Sequence, residues 1–183
     1  MTKAIKHQEI LNFWFTEITP RSWFEKDADF DAALEARFGN AVVSALSGRL
    51  DHWANGADSC LALIILLDQF TRNIYRQSAR AFSGDEMALA LSFRCVDRGY
   101  LDTAKPSHRH FMLMPMMHSE DLEIQEASLP LFKKYTEKRT YEFAVRHHDI
   151  IAQFGRFPHR NEALGRPMTD EEKVFLTEPG SSF

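Results

Sequence analysis

Apolar residues recur along this chain at every third or fourth position and almost nowhere in alternation, so it reads as a succession of helices. Ile10, Leu11, Phe13, Trp14, Phe15 and Ile18 set a wide apolar arc over residues 5–18. Pro20 stops that helix, because it lacks an N–H and restricts the residue before it. Trp23-Phe24 follows as an aromatic plug in the connection. From about Asp29 to Trp53, Phe30, Leu34, Phe38, Val42 and Leu46 fall at every fourth position and predict a long helix, which Gly39 or Gly48 could divide. Asn55-Gly56 signals a turn, and Asp58 is the expected N-cap of a third helix reaching about Arg76. Leu61 to Leu67 is apolar on every side, the mark of a central helix. Its second half turns polar, with Asp68, Gln69, Arg72, Asn73 and Arg76.

Helix-start and helix-stop chemistry divides the remainder. Ser83-Gly84-Asp85-Glu86 reads as a capping box, and Gly99 as the left-handed stop of the helix it opens. Pro106 suits the first turn of the next helix, whose Met-rich Phe111–Met117 run contains Pro115, a forced kink or end. Ser119 is the expected cap of a helix to about Lys138 that Pro130 bends or divides. Thr140 is the expected cap of another that ends at Phe154 with Gly155 as its stop. Thr169-Asp170-Glu171-Glu172 is a second capping box and opens a short last helix. No internal repeat, linker or stretch of β-alternation stands out.

Composition narrows the classes. At 183 residues the expectation is one domain, 1–183, burying roughly 70% of the surface its unfolded chain exposes. Fifteen Phe and three Trp supply the core, and the formal net charge of −4 is spread without a basic block. Nucleic acid is therefore not an expected partner. The longest apolar run, Cys60 to Leu67, falls short of the ~20 residues that span a bilayer, and polar residues interrupt the N-terminus where a signal peptide is apolar. A cytoplasmic location without membrane contact is the expectation. Cys60 and Cys95 sit in apolar helical patterns without a C-x-x-C, so neither zinc nor thiol redox chemistry is signalled, and one disulfide stays open. No His-Glu-x-x-His, paired Glu-x-x-His, Walker A, G-x-G-x-x-G or G-x-S-x-G occurs. No metal or cofactor is assigned.

The unusual polar residues gather in three short segments. In the first, Asp68 and Arg72 share a helix face, and on so apolar a helix they must be paired or face a ligand. In the second, His118 follows the Met-rich run and precedes Glu120 and Asp121, carboxylates able to orient its ring as a general base. In the third, Gly155 ends a helix, and Arg156, His159, Arg160 and Asn161 then alternate with Phe157 and Pro158. The aromatics anchor the turn, and the Arg forks suit carboxylate or phosphate. The competing reading of the third segment is a clamp, with Arg156 and Arg160 tying down Asp68, Glu120 or helix carbonyls. His147 and His148 lie on adjacent stripes of the preceding helix, either one a core-edge histidine.

At these residues the chain resembles a bacterial domain-of-unknown-function family described as all-helical and tetratricopeptide-like. The match runs through Leu11-Asn12-Phe13-Trp14-Phe15, Asp68-Gln69-Phe70-Thr71-Arg72-Asn73, His118-Ser119-Glu120-Asp121 and Phe154-Gly155-Arg156-Phe157-Pro158-His159-Arg160-Asn161. It extends to Leu164-Gly165-Arg166 and covers essentially the whole chain. Thr71 departs from the family's usual Pro, and His147 rather than His148 matches the family's histidine. The resemblance implies an all-α fold of stacked antiparallel helices without sequence repeats, and no established activity.

The resulting expectation is one polar cleft. His118, His159 and Glu120 are its candidate acid–base residues. Asp68, Arg72, Asn73, His147, Arg156, Arg160 and Asn161 are its candidate ligand-binding residues, for a small anionic molecule. The alternative is a helical scaffold that binds a peptide or protein in a groove, with the polar residues as internal mortar.

Overall fold

The computed structural model describes residues 5–182. Helix α1 (His7–Asn12) runs on through a π-helical stretch, Phe13–Glu17. Then come α2 (Ala28–Leu46) and α3 (Ala57–Ile64), which continues through a second π-helical stretch (Ile65–Phe70) into a last α-turn (Thr71–Ile74). After these lie α4 (Asp85–Asp97), the single turn α5 (Tyr100–Thr103), α6 (Pro106–Met117), α7 (Leu122–Tyr135), α8 (Lys138–Phe154) and the short α9 (Asp170–Phe175). The fold is all-α, with no strand among the described residues. No helix there is long and apolar enough to cross a membrane.

The continuously apolar α3 is the central helix. It packs against α1, α4 and α6, and its second half lies against α2. Every residue from Cys60 to Thr71 is buried. Large rings seal its junction with α1 and α2: Phe70 lies 5.4 Å from Trp14 and 5.3 Å from Phe38, and Trp14 lies 5.6 Å from Phe111. Trp23 closes this cluster by donating its indole N–H to the Trp14 carbonyl at 2.8 Å. On the far side α6, α7 and α8 pack in succession.

Several expected caps fall elsewhere, for local reasons. Gly39 stays inside α2, which ends at Leu46 ahead of Gly48 in the left-handed region (φ 75°). Gly56 rather than Asp58 precedes α3. Gly84 rather than Ser83 precedes α4, because the Ser83 hydroxyl donates to the Arg80 carbonyl and closes a 3-10 turn instead. Asp121 caps α7 by accepting from the N–H groups of Glu123 and Ile124, while Ser119 accepts from the Asp121 N–H. Thr140 is buried within α8 and meets His110 at 3.3 Å, so Glu137 holds the cap position. Pro115 and Pro130 both lie inside unbroken helices. Gly99 and Gly155 adopt the expected left-handed stops, and the Thr169–Glu172 capping box forms.

Candidate functional site

Asp68 sits in the π-helical stretch of α3, and that stretch is where local geometry departs from the expected plain helix. Two carbonyls there accept from side chains four residues on: Leu67 from the Thr71 hydroxyl (2.7 Å) and Asp68 from Arg72 (2.7 Å). π-Helical insertions are costly and recur at functional sites. The Asp68 carboxylate is 1% exposed. It bonds His118 Nδ1 at 2.7 Å, approaches Arg72 at 3.1 Å and accepts from the Gln69 amide. Burial alone would raise its pKa, but the charge of Arg72 and the bond to His118 outweigh burial and hold it well below the usual carboxylate range.

His118 ends α6. Burial lowers its pKa, opposed by Asp68 and reinforced by Arg72 and Arg160, so the ring is neutral near pH 7. An ionised Asp68 requires the proton on Nδ1, which leaves Nε2 as the basic nitrogen. His147 packs behind it, ring centres 6.0 Å apart, with Nδ1 donating to the Phe143 carbonyl at 2.8 Å. Burial first, and then His118, push His147 down to about 3. Burial and the Arg160 charge likewise push His159 to about 3.

Arg160 comes from the 3-10 turn Pro158–Arg160 and is 6% exposed. Its guanidinium lies between the rings of Phe82 and Phe157, 4.9 and 4.5 Å from their centres. It donates to the His118 carbonyl at 2.9 Å and to Asp85 at 3.3 Å, while its buried Nε–H has no hydrogen-bond partner among the described residues. Burial and then Arg72 lower its pKa to about 10, so it remains charged. Asp85, in the first turn of α4, bonds both nitrogens of the Arg72 fork at 2.9 and 3.0 Å. Two carboxylates thus balance two guanidiniums around a neutral imidazole.

The ten expected residues therefore divide. Asp68, Arg72, His118, His147, His159 and Arg160 come together. Asn73 turns away to α2, where it and Arg76 share Asp31 (2.9 Å from Asn73, 2.7 Å from Arg76). Glu120 borders the cluster but is engaged: it accepts from the Phe157 N–H (2.8 Å) and from both Arg166 nitrogens (2.6 and 3.0 Å). Arg156 clamps Glu172 of α9 at 2.6 and 2.8 Å and the Pro167 carbonyl at 2.9 Å. That grip holds Glu172 at about 2, with the buried Asn161 beside it. Arg156 is thus engaged by Glu172, a carboxylate that the sequence marks only as part of a cap, and not by Asp68 or Glu120.

Asp85, Phe82 and Arg166 were missed as partners. Asp85 lay within an apparent capping box, and its first-turn position was the only signal available. Two surface grooves lie elsewhere, one of ≈ 620 Å³ along α3 and α4 and one of ≈ 450 Å³ beside α9. No three His, Cys, Asp or Glu side chains among the described residues are grouped to hold a metal ion.

Comparison with known proteins agrees with this architecture. A solved structure titled as a protein of unknown function, ATU0120, from Agrobacterium tumefaciens is similar to this chain, with a TM-score of 0.89 and 37% identity over 94% of this chain and 97% of that one. No curated protein matches. Residues 10–180 match the family described as "Bacterial protein of unknown function (DUF924)", and the chain belongs to that family.

Proposed function

We propose that this chain binds a small anionic molecule at the Asp68–His118–Arg160 cluster, with His118 as its acid–base group. The observation that carries this reading is the 2.7 Å bond between a buried, ionised Asp68 and the Nδ1 of a neutral His118. A carboxylate in that position fixes the tautomer, orients the ring and stabilises the imidazolium that forms when Nε2 takes a proton. The unpartnered, buried Arg160 Nε–H is a charged donor still available to an anion. Buried ion pairs are also a poor means of stabilising a fold, since apolar residues of similar volume do as well or better.

The test is native mass spectrometry of protein purified without phosphate or chelator, followed by a thermal-shift panel of small carboxylates and phosphates. A retained mass, or a stabilising anion, that is lost in a folded His118→Gln variant is the expected result. A bare mass with no shift across the panel sinks the reading. A second reading, a scaffold for a peptide or protein, draws support from the groove along α3 and α4, where Leu63, Leu67, Met87 and Leu91 meet the 39%-exposed Phe93.

A further inference from the structure

Away from the polar cluster, one pair of reactive side chains is placed face to face. Cys60 opens the buried run of α3, and Cys95 lies in the last turns of α4. Both are wholly buried, and their Sγ atoms are 3.6 Å apart. A disulfide holds its sulfurs at about 2.05 Å. Closing that gap calls for a rearrangement on the scale of side-chain rotation rather than separation of two packed helices.

We propose that Cys60 and Cys95 form a reversible disulfide when the protein meets a small hydroperoxide, stapling α3 to α4. The staple would close a loop that contains Asp68, Arg72, Phe82 and Asp85, half of the polar cluster. Oxidation state would then govern how freely that half opens.

The two sulfurs are not equivalent. The hydrogen bond from Cys95 first, and the charge of Arg94 against burial, lower the pKa of Cys60, whereas Cys95 is pushed far up and keeps its proton. Cys60 is thus the attacking sulfur. Its thiolate attacks one oxygen of the hydroperoxide, the O–O bond breaks, and the departing alkoxide takes a proton to leave as an alcohol (water, for hydrogen peroxide). The Cys95 sulfur then attacks the sulfenic sulfur, the S–O bond breaks, and the departing hydroxide leaves as water with the Cys95 proton. Two thiols and one hydroperoxide give one disulfide, one alcohol and one water. The groove along α3 and α4 is the side from which a small oxidant would reach the pair. Leu91, whose carbonyl lies 3.9 Å from Cys60 Sγ, and Arg94 both line the ≈ 620 Å³ groove.

The experiment is to treat the folded, full-length protein with hydrogen peroxide near neutral pH, quench it, alkylate it in denaturant and map the peptides. The expected result is a Cys60–Cys95 linked peptide and an intact mass lower by two hydrogens. Dithiothreitol should restore both alkylation sites, and amide exchange across 60–95 should be slower in the oxidised form. Cys95→Ser should leave a sulfenic acid on Cys60 that dimedone traps. Two thiols still fully alkylated after treatment would overturn the proposal and make the pair small packing residues. A linkage formed only in urea, or sulfinic acid in place of the link, would overturn it as well.

Discussion

Three imidazoles and two guanidiniums share one small volume here, and the arrangement holds because the imidazoles stay neutral. His147 shows the consequence for pH. Its ordinary pKa near 6.5 falls to about 3 in the fold, so between those values the unfolded chain binds a proton that the folded chain does not. Stability therefore rises with pH through that window and is flat above it. Lowering pH from about 6.5 to 5 should cost about 1.5 kcal/mol from His147 alone. His159 and His110, lowered to about 3 and about 4, act in the same direction. Urea unfolding at pH 7.5, 6 and 5 measures it, and a constant midpoint would mean that these rings titrate in the native state as they do in the unfolded chain. Asp68 adds its own loss at lower pH, where the unfolded carboxyl takes a proton while the folded one stays ionised.

Among the elements, one junction, that of Gly84 with the π-helical stretch of α3, is backbone against backbone. A Cβ on Gly84 would meet the Leu67 carbonyl oxygen at 2.2 Å and its Cα at 3.0 Å. Neither atom can step aside as a flexible side chain would, so Gly84→Ala must separate α4 from the π-helical stretch of α3. A loss of about 3 kcal/mol in chemical denaturation is expected, and with it the register of Asp85 against Arg72. A loss under about 0.5 kcal/mol, the scale of an ordinary surface change, would show that the two helices do not approach this closely. At the other end of the chain, Arg156→Ala should leave the core folded and free α9. Amide exchange over Asp170–Phe175 should quicken by about tenfold or more, since the buried Glu172 loses its charged partner. Unchanged exchange there would return Arg156 to the ligand-binding candidates.

Across the whole molecule, how much could be read in advance depended on how local each cause was. The all-α class followed from the spacing of apolar residues and the central place of α3 from its unbroken apolar run, whereas the single turn α5 left no such mark; Gly99, Gly155 and the Thr169 cap followed from chemistry within four residues. The caps at Asp58, Ser83, Ser119 and Thr140 failed because a neighbouring residue or a tertiary contact claimed the role. The polar cluster was half readable. Its Asp68, Arg72, His118 and Arg160 stood out as charged or basic residues among apolar ones, but Asp85 resembled any acid at a helix start. Nor could spacing tell Arg156 from Arg160, which lie four positions apart and face different partners, Glu172 and Asp85. The same architecture also sets what an optical probe reports. Trp14, Trp23 and Trp53 are the three tryptophans, all within the first third of the chain, and Trp14 is sealed against Phe70 and Phe111. Indole emission therefore follows the assembly of α1, α3 and α6 and is blind to α7, α8 and α9, whose order circular dichroism registers. Coincident melting curves from the two signals would mark one cooperative unit. An ellipticity loss that precedes the emission shift would mean that the C-terminal helices let go first, carrying His147, His159 and Arg160 away while the aromatic core still glows as native.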